Sequence, residues 1–241
     1  MEKIAIISDI HGNLPALEAV LMDIENREIK SIYCLGDIAG KGPSSAEVVD
    51  IIRETCEVVI QGNWDYFMSD THDNAAMKWH RNKLGPQRIA YLSELPMYKE
   101  FYLSGKLMRL CHAAPNDLFL RTYQTTQKEE RLKLIEPTLT LNKESDIVGY
   151  GDIHSAYIDN FDGKTIFNVG SVGNPLDITQ ASYAIVEGNI HDRNQSSFAI
   201  TLVRVPYDIN QSIKDAEIAN MPDDIEYIKE LQTAIYRGVN S

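Results

Sequence analysis

An α/β fold of two stacked sheets with helices on the outer faces is predicted by two observations. Short β-branched apolar runs alternate with amphipathic helical stretches over the first quarter of the chain, the order of a parallel sheet with crossover helices. A second set of short strands follows, most of them paired across turn residues. The chain has 241 residues, 44% of them hydrophobic, enough to bury a substantial core without staples.

Residues 4–8 are a buried parallel strand. A helix follows over 14–28, with Leu17, Val20, Leu21 and Ile24 at helical spacing, Asn13 as its cap and Pro15 in its first turn. Residues 31–35 form the second strand. Ser44 or Ser45 caps a second helix running through Arg53, and 57–60 is the third strand. Residues 73–92 are helical up to the turn before Pro96. A hairpin then joins 98–103 to 106–111 across Ser104-Gly105. A loop at 115–123 and a short helix at 127–135 precede strands at 147–150, 156–159 and 164–169. A hairpin-like pair spans 181–187 and 197–205 across Gly188-Asn189. Two helices at 208–220 and 223–236 close the chain. No repeat or linker composition divides it, so residues 1–241 are expected to form a single domain.

The formal net charge is -12. An acidic chain repels a nucleic-acid backbone, which excludes a long nucleic-acid partner. A small phosphate compound stays open, because bound metal ions invert the local field. Cys34, Cys56 and Cys111 are odd in number and widely spaced, as free thiols in a reducing compartment are. No leader and no membrane-length apolar run is visible, so a cytoplasmic location without a membrane partner is expected. The oligomeric state has no signature in the sequence.

Five segments stand where apolar runs stop: Asp9-Ile10-His11, Gly36-Asp37, Gly62-Asn63, His112, and Gly151-Asp152-Ile153-His154. Strand C-termini of an α/β sheet open onto the crevice where ligands bind. Residues two apart in a strand share a face, so Asp9 and His11 can reach one ion together. Asp37 can bridge two ions with its two oxygens, and Asn63 offers a neutral hard oxygen. Taken singly, each also fits a bland role, such as a turn aspartate, a Gly-Asn turn or a structural histidine. Taken together, seven oxygen and nitrogen donors aimed at one crevice can hold two divalent or trivalent ions, which suits hydrolysis of a phosphate ester.

These segments, in order, resemble those of the calcineurin-like metallophosphoesterases, most closely the small bacterial and archaeal phosphodiesterase branch. That pattern runs D-x-H, G-D, G-N-H-[DE], a later His, then G-H-x-H. Here it reads Asp9-Ile10-His11, Gly36-Asp37, Gly62-Asn63-Trp64-Asp65, His112 and Gly151-Asp152-Ile153-His154, and Gly170-Ser171-Val172-Gly173 matches a further turn of the branch. The resemblance implies a four-layer αββα sandwich and a two-metal site. Asp9, His11 and His154 would bind one ion, Asn63, His112 and Asp152 the other, and Asp37 would bridge them. A hydroxide held between the ions would attack phosphorus in line with the leaving group, without a protein nucleophile.

Three positions depart from the pattern. Residue 152 is Asp where the family has His, which favours hard ions: Mn²⁺ and/or Fe³⁺, with Mg²⁺ or another divalent ion open. Residue 64 is Trp where many members carry His. Trp cannot act as an acid, but it can donate one indole N–H or stack on a base, so good leaving groups are favoured. Residue 41 is Lys where the protein-phosphatase branches carry Arg, which argues against phosphoprotein substrates. The walls of the pocket are expected at about 66–92 and 113–137, with His72, Trp79, His80, Arg81, Phe119, Arg121 and Tyr123. Asn13, Lys41, Trp64 and Arg121 are the candidate substrate contacts. The expected activity is hydrolysis of small nucleotide-like diesters or anhydrides such as dinucleoside polyphosphates. A broad phosphomonoesterase and a non-catalytic scaffold on the same fold are the alternatives.

Overall fold

The first strand, Glu2–Ile7 (β1), sends alternate side chains to two different layers, as the two-residue period of a strand requires. Ile4 and Ile6 pack between the sheets, while Ala5 and Ile7 pack against helices. The computed structural model describes residues 1–69 and 75–237. His72 and the predicted helix start at Asp73 lie outside the described residues.

After β1 come the helix Leu14–Asn26 (α1), the strand Ser31–Cys34 (β2), the helix Ser45–Thr55 (α2) and the short strand Val58–Val59 (β3). β1, β2 and β3 pair in parallel, as the alternating pattern predicts. Asn13 caps α1, its Oδ1 accepting from the Ala16 N–H at 3.3 Å. At α2, Ser44 takes the cap position without a side-chain bond, and the Ser45 hydroxyl instead accepts from the Gly40 N–H. The strands Ala181–Gly188 (β9) and Ala199–Val205 (β10) complete this sheet antiparallel, in the order β10-β9-β1-β2-β3. Their connection is ten residues long, not a tight turn at Gly188-Asn189.

Two helices follow β3, the second of them predicted at 73–92. Asn63–Ser69 (α3) is a helix rather than a turn. Ala75–Ser93 (α4) is broken at Gly85 (φ 72) ahead of Pro86, whose missing N–H cannot continue the ladder. The second sheet comprises Tyr98–Leu103 (β4), Lys106–Cys111 (β5), Ile147–Tyr150 (β6), Tyr157–Phe161 (β7) and Lys164–Asn168 (β8), in the order β4-β5-β6-β8-β7. The predicted helix at 127–135 is one α turn, Lys128–Arg131 (α5), continued as the 3₁₀ turn Leu132–Ile135. Ile209–Ala219 (α6) and Asp224–Thr233 (α7) are the predicted helical pair, but α7 stops three residues short of the predicted 236, where Ala234 turns left-handed.

The layers follow from the burial. Ile4, Ile6, Leu35 and Ile60 of the first sheet meet Phe101, Met108, Leu110 and Phe167 of the second in an inter-sheet core. α1 and α2 cover the far face of the first sheet through Leu17, Val20, Val48 and Ile52. Leu134 and Ile135 cover the far face of the second, against Val148, Tyr150 and Ile166. Each aliphatic side chain buried this way contributes about 1.5–3 kcal/mol. The mixed four-layer sandwich is as expected.

One buried ion pair ties the long crossover between β5 and β6 to the sheet. Arg109 is fully buried, its Nε donating to Glu100 on the neighbouring strand at 2.8 Å. Its Nη1 donates to the carbonyls of Leu134 and Glu136, and its Nη2 to that of Lys143.

Candidate metal centre

All five predicted segments meet at the C-terminal edges of the two sheets. Asp9 and His11 follow β1, Asp37 follows β2, Asn63 opens α3, His112 follows β5, and Asp152 and His154 follow β6. Main-chain hydrogen bonds stitch these ends together. The N–H groups of Asp9 and His11 donate to the carbonyls of Gly36 and Asp37, at 2.9 Å each. Gly151 N–H donates to His112 O, and Gly173 N–H to Asp9 O.

Asp9, His11, Asp37, Asp152 and His154 all have positive φ, between 49° and 63°. Non-glycine residues in this region cost on the order of 1–3 kcal/mol each and cluster at functional sites. The conformation turns each side chain out of its strand direction and into the crevice. Gly62 and Gly151 allow the close approach this requires: a Cβ on Gly62 would collide with the Asp37 carboxylate, and one on Gly151 with Ser8 and Asp9.

Among the described residues, two groups of donors lie close enough to hold an ion. Asp9, His11 and His154 form one; Asp9, Asp37 and His112 form the other. Within the first, His154 Nε2 is 3.1 Å from both His11 Nε2 and Asp9 Oδ1. Two ligands each about 2.1 Å from one ion sit roughly 3–3.5 Å apart. Asp37 presents a different oxygen to each side: Oδ2 is 3.6 Å from His11 Nε2, and Oδ1 is 3.5 Å from His112 Nε2.

Two histidines are oriented by carbonyls. His112 Nδ1 donates to Leu35 O at 2.9 Å, and His154 Nδ1 to Asn174 O. A carbonyl can only accept, so each ring carries a proton on Nδ1 and turns its Nε2 toward the crevice. The buried atoms Asp9 Oδ1, Asn63 Oδ1 and His112 Nε2 have no hydrogen-bond partner. Burying such groups unpaired is costly, and bound cations would offset that cost; this donor set of carboxylates, imidazoles and an amide oxygen fits a hard or borderline ion.

The electrostatics agree. Burial, reinforced by Lys41 and the neighbouring imidazoles, pushes His11 well below its usual pKa and keeps it a neutral ligand. Burial also pushes the Asp37 carboxyl up. At Asp9, burial acts against the charge, but His154, His112 and Ser8 outweigh it and hold the carboxyl below the usual range. Burial opposes the charge on His112 too, yet Asp37, Asp9 and Asp152 raise it well above the ordinary histidine value. The site attracts positive charge.

Asp152 belongs to neither group. Its carboxylate takes Arg121 in a two-pronged pair, Nε to Oδ2 and Nη2 to Oδ1, both at 3.1 Å. A guanidinium fork matches a carboxylate well, and both Asp152 oxygens accept from Arg121. Asn13 is likewise committed elsewhere than expected. Its Nδ2 donates to Gly173 O at 2.7 Å, and its Oδ1 accepts from Ala16 N–H and the Ser212 hydroxyl. It pins α1 to the 170–174 turn and to α6 rather than facing a ligand.

Beside the donors lies a cavity of about 350 Å³ whose lining includes Asp37, His154, Lys41, Trp64, Arg121 and Asp152. Lys41 Nζ donates to Asn174 Oδ1 at 2.7 Å. Trp64 stands edge-on to His11 with ring centres 5.7 Å apart, and its main-chain N–H donates to Asp37 Oδ1 at 2.8 Å. Of the predicted walls, Arg121 and Tyr123 line this cavity. His80 is buried behind Trp64 and beside Trp79.

Asp65 is a positioning residue the sequence reading passed over. It is fully buried, and its two oxygens accept from the N–H groups of Asp37, Ile38, Ala39 and Gly62, joining the second and third ligand segments. Burial and the Asp37 charge push it up to about 7. Its spacing was the available signal: an acidic residue three places after a helix-capping position reaches back to the cap N–H.

Comparison with known proteins agrees with this geometry. Residues 2–190 match the family model of the calcineurin-like phosphoesterase superfamily domain. The uncharacterized protein MJ0912 of Methanocaldococcus jannaschii is 31% identical, over 91% of this chain and 94% of its own. The phosphodiesterase YfcE of Escherichia coli is 26% identical, over 79% of this chain and 90% of its own. The crystal structure of a metallophosphoesterase from Sphaerobacter thermophilus superposes with a TM-score of 0.76 at 25% identity, covering 97% of this chain and 100% of that one.

Proposed function

Because the chain belongs to the calcineurin-like phosphoesterase superfamily, in its small prokaryotic branch, we propose that it hydrolyses small nucleotide-like phosphodiesters or phosphoanhydrides, dinucleoside polyphosphates among them, at a centre of two metal ions. Asp9, His11 and His154 would hold one ion; His112 and Asn63 would hold the other, with Asp37 between them. Mn²⁺ and Fe³⁺ suit the donors best. Such ions supply Lewis acidity toward phosphoryl oxygens and a nucleophile drawn from water at neutral pH.

The observation that carries this reading is the set of buried, unpartnered donor atoms beside a cavity lined with cations. Other buried groups, such as the Tyr207 and Tyr227 hydroxyls, are also unpaired; what sets Asp9 and His112 apart is that they converge on one group of potential ligands. The chain's own residues then bind and orient. Lys41 and Arg121 face the cavity and can take phosphate oxygens, Lys41 as a point charge and Arg121 as a fork. Asp152, paired with Arg121, would aim that fork at the cavity. Trp64 cannot protonate a leaving group, which supports substrates that depart without strong acid help, as anhydrides and activated diesters do.

The test is Mn²⁺-dependent hydrolysis of bis(p-nitrophenyl) phosphate. The parent should turn it over, and Asp37→Asn should lower the rate by about 10³-fold or more. A parent without metal-dependent turnover of activated aryl diesters would contradict the proposal.

A further inference from the structure

The chain continues past α7 into the cavity wall. Ala234 ends α7 in a left-handed conformation (φ 54), which a residue with a Cβ disfavours. The segment then hooks back. Arg237 donates from its main-chain N–H and its Nε to Glu230 Oε1, at 3.0 and 2.9 Å, and from Nη2 to Oε2 at 3.2 Å. Glu230 is buried on α7, so the hook has a fixed anchor. Tyr236 and Arg237 thereby join Asp37, His154, Lys41 and Arg121 in lining one cavity. Both lie beyond residue 190, where the match to the family model ends.

The cavity therefore gathers three cationic side chains, each steadied by a different partner: Lys41 by Asn174, Arg121 by Asp152 and Arg237 by Glu230. A guanidinium has five N–H donors, and Glu230 engages only two side-chain ones, which leaves part of the Arg237 fork for an incoming anion. A diester carries a single negative charge. Two of the three cations are already paired with carboxylates, so it is Lys41 and the unused Arg237 N–H donors that suit a ligand with a second anionic group.

We propose that the hook at 234–237 builds a second anion subsite in which Arg237, beside Lys41, binds a phosphate attached to the scissile one. Di- and polyphosphate compounds are then preferred over singly charged diesters. The inference rests on the phosphoesterase reading for where the scissile phosphate lies.

The test is isothermal titration of the full chain at saturating Mn²⁺ with AMP and with α,β-methylene-ADP, which differ by one phosphorus-bearing anionic group. The parent should bind the methylene analogue about 10-fold or more tighter than AMP, the scale of one charged hydrogen-bonded contact. Arg237→Gln should reduce that ratio to about 2 or below, and Arg237→Lys, which keeps the charge without the fork, should leave it intermediate. A parent that binds both ligands alike, or a ratio that survives both substitutions, overturns the proposal. The ratio is read without turnover, so failure of the aryl-diester assay would count against the phosphoesterase reading and not against this subsite.

Discussion

The floor of the cavity and its rim are built by different means. The floor donors Asp9, His11, Asp37, His112 and His154 are buried and hang from strand ends that bond to one another through the main chain. The rim cations come from a loop after β2 (Lys41), a loop of the long crossover (Arg121) and a hook past the last helix (Arg237), each held by one side-chain partner. The strained left-handed backbone at Asp9, His11, Asp37 and His154 persists because the sheets over-determine it. A floor of this kind is preorganised for one chemistry. The rim cations keep N–H donors beyond those their internal partners use, and so suit selection among substrates.

The contrast is tested most severely by substitution on each side. Asp9→Asn removes the carboxylate common to both donor groups and should lower aryl-diester turnover by about 10³-fold or more. Lys41→Gln should cost about 10–100-fold, chiefly in KM, because it takes away one charged contact. Steady-state kinetics at saturating Mn²⁺ check both. A rim substitution as damaging as the floor one would erase the distinction.

Next in size is an effect on the fold alone. Arg109 is an interior ion far from the rim, and Arg109→Met leaves Glu100 buried without its partner. The loss should be about 3–5 kcal/mol in denaturant unfolding, with turnover per folded molecule little changed. Lost turnover in molecules that remain folded would show that the long crossover, not only the strand ends, sets the floor.

A smaller effect concerns acid. Burial lowers His80 from the ordinary 6.5 to about 4. The unfolded chain takes up this proton below 6.5 and the folded chain does not until about 4. Stability from this group therefore falls as pH drops through that window, by about 2 kcal/mol between pH 7 and pH 5. Urea unfolding of the parent and of His80→Leu at the two pH values should differ by that amount. Parallel losses in both would show that the wall behind Trp64 is not the acid-sensitive part.

Legibility in the sequence divides along the same line. Each floor donor stands near the end of an apolar run, which announces its position; taken singly Asp9, Asp37, His112 and His154 each fitted a bland role, and the ordered set is what made them legible. Trp64 and Asp65 were harder, because Gly62-Asn63 reads as a turn, whereas the chain enters α3 at once with Asp65 reaching back to its start. Asp152 was legible as a candidate ligand from the motif, but its pair with Arg121, thirty-one residues earlier, depends on tertiary contacts. Asn13 was legible as a helix cap, but its bonds to Gly173 and Ser212 depend on tertiary contacts. Arg237 carries no local signal: its place in the cavity depends on the left-handed turn at Ala234 and on Glu230.

The central claim is that the floor holds two ions, and counting them tests it most directly. Equilibrium dialysis against Mn²⁺ should give two ions per chain for the parent and about one for His11→Ala and for His112→Ala, since each removes a donor from a different group. A parent that binds one ion or none, or single variants that keep both, would contradict it.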